Sequence, residues 1–479
     1  MRAFVGVVIV VGFICLPAQA AVLYVGPGEA YSTIQAGIDA AADGDVIIVR
    51  DGTYTGTGNR DIDFKGKAIH LKSEKGPERC IVDAWGNTYY TFRCFIFWSG
   101  EGADSILEGF TIRGGYAAQG AGIDCYRSSP TILNNVVTEN VGDGPPRGGG
   151  GMCVMDGSPM ICGNTFLNNT GPGSGASGLH VTGASSAFVI GNTFSTDRVG
   201  QEELHIETTS GVGTVTGNVI CGRGNGIYAR SWGNSAILLL NNIIAHNDGY
   251  GVECTGGDIT IINSTIVGNE NSAIYCVGGR TTIANSIFWG NDRHNPDMVQ
   301  VFFSAGDMSV SYSDVQGGIG GMEVPPPFAN LDWGFGNINT DPLFADPANG
   351  DYHLKSKYGR WDPKANNGVG GWVTDDVTSP CINAGDPASD YGPEPEPNGG
   401  RANMGAYGNT PEASKGKWIL PGDANHDSTV NVLDLIVIRN LFMHDAGSGD
   451  NWRGDVNEDG RINVLDLIFT RNRLGAMRE

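Results

Sequence analysis

Two stretches of this 479-residue chain space oxygen ligands as a hard divalent cation requires. DANHDSTVNVLD begins at Asp423, and DVNEDGRINVLD begins at Asp455, 32 residues later. In the first, Asp423, Asn425, Asp427, Asn431 and Asp434 fall at loop positions 1, 3, 5, 9 and 12. Asp455, Asn457, Asp459, Asn463 and Asp466 repeat that spacing, while Thr429 and Arg461 offer backbone carbonyls at position 7. Such a set wraps calcium, so two calcium ions are expected, one per loop. Ser428 stands at position 6 of the first loop, where glycine usually makes the sharp turn. Each loop runs into an apolar helix, expected over 432–442 and 464–474, and no comparable helical pattern precedes either loop.

A second group of reactive side chains lies mid-chain. The segments GIDCY, GMCVM, GLHVT, ELHIE, GIYAR, GVECT and AIYCV each hold one residue flanked by two inward apolar ones, which must point outward on a strand. Stacked, they align Asp124, Cys153, His180, His205, Tyr228, Glu253 and Tyr275 in one row. Two residues on, Tyr126, Met155, Thr182, Glu207, Arg230, Thr255 and Val277 form another. With strands about 4.8 Å apart, this makes a continuous surface on the scale of an extended sugar chain. His180, His205, Glu207, Arg230 and Glu253 are its densest titratable cluster. Three roles stand open: a solvated face, a glycan-binding face with Tyr228 and Tyr275 offering their rings, or a catalytic one. In catalysis, Glu207 or Glu253 would be an acid/base carboxylate of glycoside hydrolysis, which uses two carboxyl groups about 5–10 Å apart. Alternatively, a histidine would abstract the proton α to a uronate carboxylate that Arg230 neutralises, giving β-elimination.

Repeats must position these groups. NNVVTEN, GNTFLNN, GNTFSTD, GNVICG, NNIIAHN, NSTIVGN and NSIFWGN place Asn135, Asn164, Asn192, Asn218, Asn242, Ser264 and Ser286 at intervals of 29, 28, 26, 24, 22 and 22 residues. A period in the twenties, with β-branched pairs in every copy and no helical pattern, indicates a coiled parallel β-solenoid. The asparagines would form a structural ladder at one turn. Ser32-Thr33-Ile34-Gln35 has capping-box spacing and opens an amphipathic helix, 34–42, that would cover the end of the stack. Asp43-Gly44-Asp45 ends it, before a buried strand Val46–Val49.

Composition agrees. With 74 Gly and 22 Pro, the chain suits many short strands and turns. A net charge of −22 excludes nucleic acid as a partner and favours neutral over polyanionic glycans unless a local basic patch intervenes. Arg2, an apolar run from Phe4 to Leu16 and Ala18-Gln19-Ala20 read as a cleaved signal peptide, residues 1–20, leading to secretion. Nine cysteines then remain, an odd number in an oxidising compartment, and several fall at inward positions as small hydrophobes.

These residues carry two resemblances. STIQAGIDAAADGDVIIVRDGTYTG and the asparagine-turn repeats resemble the right-handed parallel β-helix proteins of the pectin-lyase-like superfamily. DPLFADPANGDYHL, SPCINAGDP and NMGAYG resemble the closing segments of secreted bacterial members. The resemblance implies a mainly β fold: a solenoid over 21–335, a closing segment over 336–410 and a linker over 411–420. That superfamily spans lyases, hydrolases, isomerases and binding-only proteins. The Asp-Asp pair of polygalacturonase-like hydrolases and the Asp-rich calcium cluster of pectate lyases do not occur in the repeats.

The doubled half-EF-hand over 421–479 resembles a dockerin. This implies that calcium folds the module and that a helix face binds a cohesin domain. Val432, Leu433, Arg439 and Asn440, matched by Val464, Leu465, Arg471 and Asn472, would form that face in two orientations related by a half turn. Val-Leu stands where many dockerins carry hydroxyl residues, so the cohesin type is not inherited. The whole then reads as a polysaccharide-acting hydrolase or lyase held by its dockerin, or a non-catalytic glycan-binding or cell-surface module.

Overall fold

The computed structural model describes residues 20–417, except 145–147, 173–174, 198–199, 293–298 and 326, together with 422, 424, 429–441, 456, 462 and 464–474. The expected signal peptide falls almost wholly outside the described residues. No described helix is long and apolar enough to cross a membrane.

The repeats wind into a right-handed parallel β-solenoid of about 12 turns. Sheet I has 13 strands, from Val22–Val25 to Ala329–Trp333; sheet II has 11, from Ile62–Asp63 to Met322–Glu323; sheet III has 11, from Gly52–Thr55 to Asp314–Val315. Each coil passes from sheet I through a tight corner to sheet III, then by a longer loop to sheet II. In-register pairing stacks like on like. Ile132, Ile161, Val189, Val215, Leu239, Ile261, Ile283 and Val310 make one inward column of sheet I, fully buried. Phe166 and Phe194 stack with centroids 4.8 Å apart on sheet III. Burying each such side chain contributes about 1.5–3 kcal/mol, which a short strand could not gain alone.

The I–III corner carries the expected ladder. Asn135 Nδ2 donates to Asn164 Oδ1 at 3.1 Å, and the bonds from Asn164 to Asn192, Asn192 to Asn218 and Asn218 to Asn242 are each 3.0 Å. Backbone N–H groups of Asn242 and Ser264 then donate to Ser264 and Ser286 Oγ. The residue before each rung (Asn134, Gly163, Gly191, Gly217, Asn241, Asn263, Asn285) has a φ between 48° and 66°. That left-handed turn explains why only Gly and Asn occupy the position. A second ladder, which the repeat pattern did not suggest, lies at the start of the III–II loop: Asn140 to Asn169 at 3.0 Å, then Asn247 to Asn269 to Asn291 at 2.8 Å each.

The N-terminal helix spans Ile34–Ala40, two residues shorter than expected, and buries Ile34 and Ile38 against the first coil. Its N-cap is Thr33, whose hydroxyl accepts from Ala36 N, and not Ser32; Gln35 instead bonds Asp39 and Asp63. The segment after sheet I does more than close the open end. It runs back along sheet III, packing Tyr352, Leu354, Ile382, Met404 and Ala406 on Ile243, Val267 and Ile287. Asn241 and Asn263 donate to carbonyls of Ala406 and Asn403. All nine cysteines among the described residues are free, and seven are buried; Cys125, Cys254 and Cys276 lie at inward strand positions as small hydrophobes, while Cys153 is buried in the outward row.

Candidate functional site

Sheet II carries the outward row in the expected register: Asp124, Cys153, His180, His205, Tyr228, Glu253 and Tyr275 pair in sequence from coil to coil. It is not the continuous open surface that alternation implies. Asp124, Cys153 and His180 are at most 2% exposed, and His205 and Glu207 are each 6% exposed. The cause is the preceding loop. Thirteen residues separate Thr138 from Met152, and only four separate Gly222 from Ile227. The long early loops are rich in glycine and lie against the strands. A Cβ on Gly149 would sit 1.8 Å from Met152 O and 3.0 Å from His180 N. The shrinking repeat period is this loop becoming shorter, so the row opens from Tyr228 onward.

His205 stands at that boundary. Its ring stacks between His180, at 4.2 Å, and Tyr228, at 4.3 Å. Nδ1 lies 3.4 Å from Glu202 Oε2 and Nε2 lies 3.7 Å from Glu207 Oε2. Burial opposes the imidazolium, but the hydrogen bonds and charges of Glu202 and Glu207 outweigh it, so His205 titrates above its ordinary value. Glu207 also accepts from Trp232 Nε1 at 3.0 Å, and the Arg230 guanidinium lies 3.7 Å over the Trp232 ring. Glu253, half-buried, accepts from Asn225 Nδ2 at 2.8 Å. Burial and the Glu202 charge push its carboxyl up, with His205 opposing.

The structure thus brings His180, His205, Glu207, Arg230 and Glu253 together, but in unequal positions. His180 lies behind His205 and away from solvent, and Glu207 is locked by its neighbours. His180 is wholly buried and meets no ligand from solution, whereas Glu207 is exposed to the same small extent as His205. Glu202, Asn225 and Trp232 belong to the cluster and escaped the strand pattern. Glu202 and Asn225 sit on loops, and Trp232 lies two residues beyond Arg230, where alternation keeps it on the same face. Among the described residues, no group of three or more His, Cys, Asp or Glu side chains could hold a metal ion.

The expected calcium sites are described only in part. Asp423, Asn425, Asp427, Asp455, Asn457, Asp459, Arg461 and Asn463, with Ser428, lie outside the described residues. Thr429, Asn431, Asp434 and Asp466 lie within them. Asp434 and Asp466 are wholly buried carboxylates in the first turns of the helices Val432–Leu441 and Val464–Arg471. Asn431 N donates to Asp434 Oδ2 at 2.7 Å, and Asn431 Oδ1 accepts from Leu433 N at 2.8 Å. A buried carboxylate at the start of an apolar helix suits a cation, and Asp434 and Asp466 would each supply the position-12 ligand of its own loop. Between the helices lies a cleft of about 370 Å³ lined by Leu435, Ile436 and Arg439 and by Leu467, Ile468 and Arg471, the same residues 32 positions on. Val432, Leu433 and Leu465 are exposed beside it.

Comparison with known proteins follows these divisions. The right-handed β-helix region family matches residues 40–194 and 203–318, the type I dockerin domain matches 421–475, and a disaggregatase-related family matches 328–385. No curated protein matches. Among solved structures, the chain is similar to the A-module of the Azotobacter vinelandii mannuronan C-5 epimerase AlgE4 (14% identity, 66% of this chain and 95% of that one, TM-score 0.39). It is also similar to pectate lyase Pel9A (14% identity, 81% and 96%, TM-score 0.43). PfbA, a surface adhesin of Streptococcus pneumoniae, matches at 12% identity over 72% and 94%, with a TM-score of 0.24. Type I dockerin domains bind calcium and dock to cohesin partners. The chain belongs to the right-handed β-helix family and carries a type I dockerin domain at residues 421–475.

Proposed function

We propose that this is an extracellular polysaccharide-acting protein, a glycoside hydrolase or polysaccharide lyase, held to a cohesin-bearing partner by its calcium-loaded dockerin. The observation that carries this reading is the joining of a dockerin to a solenoid whose half-covered face gathers Glu202, His205 and Glu253 where the cover ends. A carboxyl with a raised pKa is suited to donating a proton to a leaving oxygen, which fits Glu253 as general acid. Glu202 is the second carboxylate. His205, biased toward its protonated form, serves better as a donor or charge partner than as the base of a β-elimination. This favours hydrolysis. Arg230 and Trp232 offer a flat edge for a neighbouring sugar.

Reducing-end and unsaturated-product assays across neutral and uronic polysaccharides test this. Glu253→Gln is expected to lower kcat at least 100-fold while the thermal midpoint holds. A wild-type protein inactive on the whole panel would sink the enzymatic reading. The burial of Asp124, Cys153, His180 and Glu207 favours the alternative of a non-catalytic glycan-binding or surface module. In that case a glycan array would show binding without turnover.

A further inference from the structure

Between the strands Cys80–Asp83 and Phe95–Phe97 the chain leaves the solenoid in a hairpin closed by the antiparallel bridge of Asn87 and Tyr90. It exposes three large aromatic side chains: Trp85 by 78%, Tyr89 by 89% and Tyr90 by 63%. Scattered apolar side chains on a surface need no explanation, but a contiguous cluster marks a binding site. Behind them is a cleft of about 600 Å³ lined by Arg60, Trp85, Gly86, Asn87, Tyr90 and Phe92. This lies within the volume range of small-ligand sites.

The hairpin is held in shape. The Asn87 carboxamide accepts from the backbone of Tyr89 at 2.9 Å and of Tyr90 at 3.3 Å. Phe92 bridges to Tyr116, and a Cβ on Gly86 would meet Tyr116 at 2.8 Å. Trp85 has a φ of 58°, rare for a bulky residue, with its N–H held by Asp83 Oδ1 at 3.1 Å. Tyr90 and Phe92 lie parallel, 1° apart, and the Arg60 guanidinium sits 3.5 Å over Phe92. In this acidic chain Arg50, Arg93 and Arg113 each keep a carboxylate within 3.0 Å. Arg60 has no carboxylate partner among the described residues and lines the cleft.

We infer that this hairpin is a second carbohydrate-binding site, taking a sugar chain that bears carboxylates. Aromatic faces suit the C–H faces of pyranose rings, and an unpaired guanidinium suits a carboxylate, which it can bind by two parallel hydrogen bonds. Arg60 is the local basic group that reverses the preference for neutral glycans set by net charge. The inference rests on the polysaccharide-acting reading and adds a substrate class and an anchoring point. Register places the hairpin four coils, roughly 19 Å, before His205. A chain bound there would span several sugars before reaching the cluster.

The test is affinity electrophoresis of the full calcium-loaded protein in polygalacturonate, polymannuronate and a neutral β-glucan, with cleavage of short oligosaccharides measured in parallel. Wild type is expected to be retarded by the uronates more than by the glucan. The double variant Trp85→Ala, Tyr90→Ala should weaken that binding at least tenfold and leave short-oligosaccharide cleavage unchanged. Arg60→Gln should weaken it on uronates alone and flatten its salt dependence. Wild-type affinity in the double variant would overturn the hairpin site and leave the polysaccharide-acting reading intact. Equal loss on glucan and uronate in Arg60→Gln would overturn the acidic class. Neither binding nor cleavage of any glycan by wild type would overturn both readings.

Discussion

At the residue scale, the most informative side chain is one the outward rows did not include. Glu203 occupies the position that glycine holds in the strands opening at Gly122, Gly151, Gly178, Gly226 and Gly251. At those glycines a Cβ would press on a carbonyl of the next coil at 2.4–2.7 Å. Five residues after Asn192 and Asn218, where other coils place second-ladder asparagines, stand Asp197 and Arg223. Glu203 turns its carboxyl into that gap, with Ser177 Oγ at 3.2 Å and the Thr196 backbone as partners and Gly222 leaving room. Burial pushes Glu203 up to about 8. The folded state therefore keeps a proton that the unfolded chain has lost, and stability falls as pH rises from about 4.3 through 8. Glu203→Gln should remove a loss on the order of 5 kcal/mol across that window. Parallel curves of melting temperature against pH for variant and wild type would refute it. His205 adds a slope of the same sign. Its raised value gives stability that is complete below about pH 6.5 and is lost above, so His205→Gln should flatten what remains.

At the element scale, coil and corner were legible in the sequence because each depends on a local rule. A left-handed corner admits Gly or Asn, and a rung must offer both a donor and an acceptor. Asn192 shows the consequence: its Oδ1 accepts from Asn164 N and Nδ2 while its Nδ2 donates to Ile161 O and Asn218 Oδ1. Asn192→Ala would leave buried groups on both sides unpaired and should cost about 2–4 kcal/mol by urea titration. Asn135→Ala, near the start of the ladder, should cost less. The loops were not legible in the same way. Alternation fixes which side of a strand a residue faces, but not whether another segment lies over that side. At His180 alternation gives the direction of the side chain but not its burial under the preceding loop. The signal was present as the fall in period from 29 to 22 residues, and it needed the strand ends to locate the shortening in the III–II loop.

At the scale of the whole molecule, the two parts answer to different forces. The solenoid is stabilised by stacked apolar columns and two ladders, and the dockerin by a small core of Ala424, Ile438 and Ile462 with buried Asp434 and Asp466. Small modules of this kind depend on metal for folding. Chelation by EDTA should therefore abolish the helical signal of the dockerin and cohesin binding while the β-sheet spectrum of the solenoid persists; joint loss would refute this. Asp434→Ala and Asp466→Ala should each reduce bound calcium from two ions to one by calorimetry. The repeated cleft arginines and the exposed leucines beside them predict that substituting Leu433 and Arg439 alone, or Leu465 and Arg471 alone, leaves cohesin binding within a few-fold. Replacing all four should abolish it. If either half alone abolishes binding, the two-orientation reading fails.

Glu203 also bears on how such a molecule can lengthen. Around Asn242, Ser264 and Ser286 the coils repeat every 22 residues and present the same groups above and below, so one could be copied in place with its neighbours still satisfied. The coil holding Glu203 stands where two successive second-ladder positions lack asparagine, and in a tandem duplicate the second Glu203 would meet Glu202 in place of Ser177, a carboxyl against a carboxyl. Growth by duplication is open toward one end of the stack and barred at its middle.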